Sequence, residues 1–177
     1  LVLSTLHTNN AAGTIPRLID FGVRPVTIAP AVNAAMAQRL VRKLCNSCKK
    51  ENAPTEDESK IIKLVLDSIK AEGKDLSKYL PAGRQVILSK SDFKIFSPVG
   101  CDKCNNIGYK GRIGIFEAIK TDEAIEKIMP ENPSEHEIKK VARSQGTLSM
   151  RQDGIVKVLT GITSLAEVQS VVDLNEE

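Results

Sequence analysis

The pattern of apolar and polar residues along the chain predicts a mixture of strands and helices. Short apolar or alternating runs, which are typical of strands, occur at five places. They are LVLSTL at residues 1–6, RLVRKL at 39–44, QVILS at 85–89, FKIFSP at 93–98 and GRIGIFEAI at 111–119. The first run opens the chain, and we expect it to be a buried strand that ends before the polar loop HTNN.

Two helices are expected between the first two of these strands. In TIPRLIDFG, Thr14 is a suitable N-cap, Pro16 lies in the first turn, and Gly22 is a suitable C-cap. The second helix covers residues 24–37, where apolar residues recur at helical spacing and Pro30 lies in the first turns.

Helix start signals also recur later in the chain, as pairs with the capping-box spacing S/T-x-x-E/Q. The pairs are Thr55 with Glu58, Ser134 with Glu137, Ser149 with Gln152, and Ser164 with Glu167. An apolar stripe follows each of them. We therefore predict a helix in the segment 55–92 and a small bundle of short helices near the end of the chain.

Composition supports a folded protein with an aliphatic core. Hydrophobic residues make up 41% of the 177 residues, aromatic residues only 3%, and Trp is absent, so Leu, Ile, Val and Ala must form the core. The net charge is only +3, from 25 basic and 22 acidic residues spread along the chain. Because a nucleic-acid binder usually has a concentrated basic stripe, no nucleic acid is expected as a partner.

No transmembrane segment or signal peptide is predicted. The longest uncharged stretch, residues 25–38, is too short and too interrupted to span a bilayer. A cytoplasmic location is therefore the default expectation. The chain does not begin with Met, which suggests a piece of a longer protein.

Four cysteines occur as two C-x-x-C pairs, Cys45 with Cys48 and Cys101 with Cys104. Two such pairs commonly provide the four thiolates of a tetrahedral zinc site, which leaves no coordination position for a substrate. The 52 residues between Cys48 and Cys101 are far more than a compact zinc ribbon contains, so the pairs must be brought together across an insert. Unrelated buried thiols and two redox dithiols are the alternatives, while disulfides are not expected in the cytoplasm.

Several segments together resemble the ATPases of type II secretion and type IV pilus extension. LVLSTLHTNNAAGTIPRLIDFGV resembles the histidine box of that family, and AQRLVRKLCNSCKK resembles the stretch that follows it. GCDKCNNIGYKGRIGIFEAI is similar to the second cysteine pair with its trailing strand, and DGIVKVLTGITSLAEVQSVV to the C-terminal helices. The order is the same from residue 1 to about 173, apart from a long insert at residues 55–92.

The resemblance implies an α/β fold: the C-terminal part of a RecA-like P-loop ATPase domain. The implied divisions are residues 1–44 as part of the ATPase core, 45–112 as a tetracysteine zinc module, and 113–177 as a C-terminal strand and helical subdomain. The family forms hexamers that dock on an inner-membrane platform protein, and ATP hydrolysis with Mg²⁺ drives the movement of pilins or pseudopilins. The expected location is therefore cytoplasmic and peripheral at the inner membrane.

In this resemblance His7 is the histidine-box residue near the γ-phosphate of ATP, supported by Thr8 and Asn9. A histidine at the end of a core strand, where ligands collect in α/β folds, is chemically suited to that position. The alternative is a histidine that only satisfies backbone groups in a turn. Arg17 also matches a family position, although it has the i,i+3 spacing for an ion pair with Asp20.

The sequence contains no G-x-x-x-x-G-K-[S/T] motif, so it has no phosphate-binding loop. We therefore expect the 177-residue chain to be inactive alone. Two other classes remain open. A free-standing zinc-ribbon module for nucleic acid or protein is disfavoured by the weak charge and scarce aromatic residues. A zinc enzyme would need an open coordination position, so it would use only three of the cysteines.

Overall fold

The computed structural model describes residues 2–80, 93–131 and 133–174. The chain forms two compact units, each built from two separated segments. The first unit contains Leu1–Gln38 and Phe116–Thr147. The second contains Arg39–Ile115 and Leu148–Glu177.

The described elements are short helices and strands in mixed order, as the sequence predicts for a mixed α/β chain. The helices are α1 (Thr14–Asp20), α2 (Pro25–Ala31), α3 (Glu56–Ala71), α4 (Glu123–Ile128), α5 (Glu135–Ala142), α6 (Met150–Leu159) and α7 (Leu165–Gln169). The strands are β1 (Ala34–Leu44), β2 (Lys50–Asn52), β3 (Ile95–Ser97) and β4 (Tyr109–Lys120). Single 3₁₀ turns cover Leu76–Lys78, Asp102–Cys104, Met129–Glu131 and Arg143–Gln145.

The described strands form two two-stranded sheets, β1–β4 and β2–β3. Strands β2 and β3 are antiparallel, with Glu51 opposite Phe96. Beyond the ends of β1 and β4, the Cys45 N–H donates to the Gly108 carbonyl and the Thr121 N–H donates to the Asn33 carbonyl. Because residues early in one strand lie beside residues late in the other, β1 and β4 also run antiparallel.

The core of the first unit is built from α1, α2, α4, α5 and the end of β4. Its buried residues are Ala11, Ala12, Ile15, Ile28, Ile119, Ile125, Met129, Ile138 and Ala142. Ala11 and Ala12 are 1% and 0% exposed. The segment that leads into α1 is therefore fixed by packing from residue 11 onward.

The main core of the second unit joins α3 to α6, α7 and β3. Its buried residues are Ile62, Val65, Leu66, Ile69, Phe93, Ile95, Ile155, Val158, Leu159, Leu165, Val168 and Leu174. Helix α6 lies close enough to α7 that a Cβ on Gly154 would be 2.6 Å from Val168 Cγ1. A larger residue at position 154 would require the Val168 side chain, or the helix that carries it, to shift.

A buried polar network accompanies this core. The Lys74 side chain is 4% exposed, and its ammonium lies 2.5 Å from Glu72 Oε2 and donates to Gln152 Oε1 at 2.9 Å. Gln152 Nε2 donates in turn to Ser68 Oγ and to Glu72 Oε2. These bonds connect the end of α3 to the start of α6 and satisfy the polar groups that the core buries.

Most of the predicted helix starts are confirmed. Thr55, Ser134 and Ser149 each cap a helix and form a complete capping box with the residue three positions later. Ser164 accepts from the Glu167 N–H and caps α7, but the Glu167 carboxylate does not return to the cap. It binds Arg42 instead.

The predicted strand at residues 1–6 is wrong for the described part of that run. Residues 2–8 have no regular secondary structure, and Val2 and Leu3 are 91% and 87% exposed. A strand needs a partner for its N–H and C=O groups, and the sheets of the described residues pair only β1 with β4 and β2 with β3. The apolar character of residues 2–6 is therefore not sufficient to make them a strand.

The predicted helix at residues 24–37 is also partly wrong. Helix α2 ends at Ala31, Val32 is extended, and β1 begins at Ala34. Pairing with β4 therefore overrides the helical spacing of Ala35 and the residues after it. The N-cap of α1 is Gly13 rather than Thr14, while Gly22 follows the helix with a φ of +84°, as expected for a glycine at a helix end.

The strand predicted at residues 85–89 lies outside the described residues. The strands predicted at 39–44, 93–98 and 111–119 are confirmed as β1, β3 and β4, although β1 and β4 are longer and β3 is shorter than expected. Helices α4 and α5 belong to the first unit, and α6 and α7 to the second. In the described part of the chain, no helix combines the length and the apolar character needed to cross a bilayer.

Candidate functional site

The four cysteines converge in the second unit, as their spacing predicts. The Sγ atoms of Cys45 and Cys101 are 4.0 Å apart, those of Cys48 and Cys104 are 3.8 Å apart, and those of Cys101 and Cys104 are 3.7 Å apart. All four Sγ atoms lie within 4.8 Å of one another. These separations are too long for disulfide bonds, in which the sulfurs are about 2.05 Å apart.

The sulfur positions fit a single tetrahedral ion. With metal–sulfur bonds of about 2.3 Å, the edges of a tetrahedron of four sulfurs are about 3.8 Å long. Three of the six sulfur–sulfur separations, at 3.7 to 4.0 Å, match that length, and the other three are no longer than 4.8 Å. Cys45 and Cys104 are buried and the other two cysteines are half-buried, so the cluster is shielded but reachable. The cluster can therefore hold one metal ion with four protein ligands.

Each C-x-x-C pair is folded into a tight turn by its backbone. In the first pair, the N–H groups of Cys48 and Lys49 donate to the Cys45 carbonyl. In the second, the Cys104 N–H donates to the Cys101 carbonyl. These turns bring the two sulfurs of each pair onto the same side, which is why two intervening residues suit metal ligation.

Asparagine and glycine after the second pair allow the chain to reverse. Asn105 and Asn106 have φ values of 51° and 60°, in the left-handed region that Asn tolerates better than most residues. Gly108 has a φ of 79°, and a Cβ there would lie 2.4 Å from Pro98 Cβ. Asparagine and glycine therefore suit residues 104–108, CNNIG, because of the backbone conformation required there as well as their polarity.

Backbone donors stabilise negative charge on one of the sulfurs. Burial favours the neutral thiol of Cys104, but the N–H groups of Cys101 and Gly108 donate to Sγ at 3.2 Å and lower its pKa to about 7. At Cys48, burial raises the pKa to about 11, and contacts with the other three thiols add to this effect against a hydrogen bond with the Gly100 backbone. Without a metal, the negative charge of the cluster is therefore favoured at Cys104.

Contacts with the turn between α6 and α7 hold the first cysteine pair in place. The Leu44 N–H donates to the Ile162 carbonyl at 2.9 Å, and Lys49 Nζ donates to the Gly161 carbonyl at 2.7 Å. The Thr163 hydroxyl donates to the Arg42 carbonyl at 2.8 Å. The end of β1 is thus fixed by a segment more than a hundred residues further along the chain.

His7 lies in the irregular segment that precedes α1, in the first unit. Its side chain is exposed, as is that of Asn9, while Thr8 is half-buried. The imidazole is therefore accessible to a ligand. The four cysteines belong to the other unit, so the structure assigns the histidine segment and the cysteine cluster to separate parts of the fold.

Arg17 is exposed on α1, and its guanidinium lies 4.7 Å from the centroid of the Phe21 ring. This contact lies one turn along the helix, and among the described residues Arg17 forms no ion pair with Asp20, although the i,i+3 spacing allowed one. A guanidinium over an exposed ring contributes modestly to stability and keeps its charge accessible.

Two glutamates that sequence reasoning missed anchor the end of the histidine segment. Glu117 Oε1, on β4, accepts the Ala11 N–H at 2.6 Å. Glu135 Oε1, at the start of α5, accepts from Asn10 Nδ2 at 2.6 Å. Asn10 Oδ1 also accepts the Gly13 N–H at 2.9 Å. No local spacing indicates the bonds of Glu117 and Glu135, because their partners are more than a hundred residues away in sequence.

Comparison with known proteins shows the family to which the chain belongs. Residues 1–170 match the family described as Type II/IV secretion system protein, and the chain belongs to that family. Over 171 residues, 97% of the chain, it is 41% identical to the type IV pilus assembly ATPase PilB of Pseudomonas aeruginosa. It is 39% identical over 171 residues to type II secretion system protein E of Aeromonas hydrophila.

The same similarity extends to type II secretion system ATPase E of Vibrio cholerae, at 37% identity over 171 residues. The chain spans only 26% of the Pseudomonas protein and 29% of each of the other two. Two of these three relatives are named as ATPases, and all three are three to four times as long as the part that matches.

Proposed function

We propose that this chain is the C-terminal portion of a secretion or pilus-assembly ATPase, with a RecA-like core segment, a zinc-stabilised module and C-terminal helices. The family match over residues 1–170 carries the proposal. The convergence of the four cysteines supports it, because the two pairs lie far apart in sequence yet form one cluster.

In this proposal the metal is zinc, bound by Cys45, Cys48, Cys101 and Cys104. Zinc favours a tetrahedral set of thiolates, and a site with four protein ligands is structural rather than catalytic. The ion supplies a cross-link between two distant parts of the chain. It takes no part in ATP hydrolysis, because no coordination position is left for water or phosphate.

His7 is proposed to face the γ-phosphate of ATP, with Thr8, Asn9 and Arg17 at the edge of the nucleotide site. Exposure of the His7 imidazole supports this role, since a ligand can reach it. An imidazole can donate a hydrogen bond to a phosphate oxygen or orient a water molecule. Residues 2–6 have no regular secondary structure here and are exposed except for the half-buried Leu6, and we propose that they form a strand of the ATPase core in the whole protein.

The whole protein is proposed to act as a homohexamer on the cytoplasmic face of the inner membrane. It binds a membrane platform protein and couples ATP hydrolysis to the assembly of pilins or pseudopilins. The names of the relatives, which include both a pilus-assembly ATPase and a secretion-system ATPase, support this class of activity. The 177-residue chain is proposed to be inactive alone, because it lacks the phosphate-binding loop with which such enzymes hold ATP and Mg²⁺.

The test begins with the reading frame that encodes this chain. We expect it to continue upstream of Leu1 and to encode a phosphate-binding loop and an acidic Mg²⁺ site. The purified full-length product should hydrolyse ATP, whereas the 177-residue chain should not. A reading frame without that loop, or hydrolysis by the 177-residue chain, would refute the proposal.

The two histidines of the chain supply a matched comparison for the role of His7. His7→Ala should lower kcat of the full-length protein by about a hundredfold, within the range for loss of one positioned catalytic group. His136→Ala, which removes an exposed histidine from α5, should leave kcat unchanged. Equal activity of the two variants would remove His7 from the nucleotide site.

A further inference from the structure

The segment after His7 is held at its end by two carboxylates from other parts of the first unit. Glu117 accepts the backbone N–H of Ala11, and Glu135 accepts the side-chain amide of Asn10, each at 2.6 Å. Hydrogen bonds to ionised carboxylates are shorter and stronger than those between neutral groups. Both contacts therefore restrict the segment more than ordinary loop hydrogen bonds would.

These contacts act close to His7. Asn10 lies three residues after His7, and three extended residues span at most about 11 Å. Asn10 Oδ1 also accepts the Gly13 N–H, so a single side chain connects Glu135 to the turn that starts α1. The burial of Ala11 fixes the next residue in the core. The position of the chain on the C-terminal side of His7 is therefore well defined.

The carboxylate of Glu135 is kept charged where it acts. The Lys139 ammonium, 2.8 Å from Glu135 Oε1, is the main reason that the pKa of Glu135 is below its ordinary value. Burial opposes this effect, and the bond from Asn10 supports it. A methyl group on Gly13 would lie 3.3 Å from Glu135 Oε2, so the carboxylate sits directly against the turn.

We propose that Glu117 and Glu135 are positioning residues for His7: they hold residues 10–13 so that the histidine is presented to the nucleotide in one orientation. This inference rests on the proposed function, which places His7 at the γ-phosphate. Neither glutamate touches the nucleotide. Each acts through the backbone that carries His7, and together they link the histidine segment to β4 and α5.

The first part of the test measures amide hydrogen exchange in the 177-residue chain. Glu117→Ala should raise the exchange rate of the Ala11 amide about tenfold to a hundredfold, because its charged acceptor is lost. Glu135→Ala should raise that of the Gly13 amide. Glu117→Gln and Glu135→Gln, which keep an acceptor oxygen, should restore most of the protection. Glu126→Ala, which removes an exposed glutamate from α4, is the control and should change neither amide.

The second part measures kcat and KM for ATP in the full-length protein at a temperature where every variant is folded. Glu117→Ala and Glu135→Ala should lower kcat about tenfold with little change in KM, because a misplaced group slows the chemical step more than binding. The Gln variants should recover most of kcat. A purely structural role would lower the unfolding temperature and leave kcat unchanged.

The outcomes separate the two proposals. If His7→Ala lowers kcat but the Ala variants of both glutamates do not, the positioning role is refuted and the proposed function stands. Unchanged amide exchange in both Ala variants also refutes it. If His7→Ala itself leaves kcat unchanged, the proposed role of His7 has failed, and the positioning role fails with it.

Discussion

Arg42 and Glu167 are joined by two hydrogen bonds, although 125 residues separate them. Glu167 Oε2 accepts the backbone N–H of Arg42 at 2.9 Å, and Oε1 accepts from its guanidinium at 2.6 Å. The guanidinium also lies 4.3 Å from the centroid of the Tyr109 ring. The start of α7 is thereby attached to the strand that leads into the first cysteine pair.

This pair predicts a pH-dependent contribution to stability. The bond from the Arg42 side chain lowers the pKa of Glu167 below its ordinary 4.5, against the opposing effect of burial. The folded state therefore binds fewer protons than the unfolded state. The stabilisation is present above about pH 4.5 and is lost as the pH falls through the folded-state pKa.

Glu167→Gln should lower the midpoint of thermal unfolding near neutral pH, and the difference from the wild type should shrink in acid. Calorimetry over a pH series measures both. Glu126→Gln, at an exposed position, should show no comparable pH-dependent difference. A constant difference across the series would mean that charge on Glu167 is not what stabilises the contact.

The cysteine cluster predicts a stoichiometric metal. The purified 177-residue chain should contain close to one zinc ion, measured by inductively coupled plasma mass spectrometry. Cys101→Ser should lose the metal and lower the midpoint of thermal unfolding by about 10 °C or more, since a structural zinc contributes several kcal/mol. Ser47 lies in the turn of the first cysteine pair but is not a proposed ligand, so Ser47→Ala should keep both the metal and the unfolding midpoint. Retained metal and stability in Cys101→Ser would exclude a structural site.

The contact between α6 and α7 predicts that the effect of Gly154→Ala on stability depends on the side chain at position 168. Gly154→Ala places a methyl group 2.6 Å from Val168 Cγ1, and the overpacking should outweigh the gain in helix propensity by about 1 kcal/mol. In a Val168→Ala background the same change should be neutral or stabilising. Urea unfolding of the four proteins gives the coupling energy. Additive effects would show that α7 moves to accommodate the methyl group.

Because the ammonium of Lys74 is buried, we expect truncation of this side chain to lower the unfolding free energy substantially. Lys74→Ala leaves Glu72 without its buried cation and should cost about 3 kcal/mol of unfolding free energy, because an uncompensated charge then remains in the interior. Lys60→Ala removes a lysine whose ion pair with Asp57 is exposed, and should have no measurable effect. Urea unfolding measures both free energies. Equal losses for Lys74→Ala and Lys60→Ala would show that burial of Lys74 does not determine its contribution.

Local signals in the sequence predicted local structure well. The C-x-x-C spacing indicated two metal-binding turns, and the pairs Thr55 with Glu58 and Ser134 with Glu137 became complete capping boxes. In these cases the partners lie within three residues, so the spacing alone brings them together.

Partners distant in sequence account for what the pattern did not predict. Ser164 and Glu167 have the spacing of the other capping boxes, but the Glu167 carboxylate binds Arg42 instead. The spacing of nearby residues does not indicate this distant partner. The run at residues 2–6 is apolar enough for a strand and has none of the pairing that would make it one. Glu117 and Glu135 became visible as anchors only when the fold placed them beside residues 10 and 11.

The cysteine cluster also turns the segment between the two pairs into a closed ring. When a metal joins Cys48 to Cys104, both ends of that segment are fixed to one point, whatever its length. Closing a flexible ring becomes only slowly more unfavourable as the ring grows, by about 0.6 kcal/mol for each doubling of its length. The fold can therefore accept residues added between β2 and β3 at little cost, and variation in length within this family should be concentrated inside the ring.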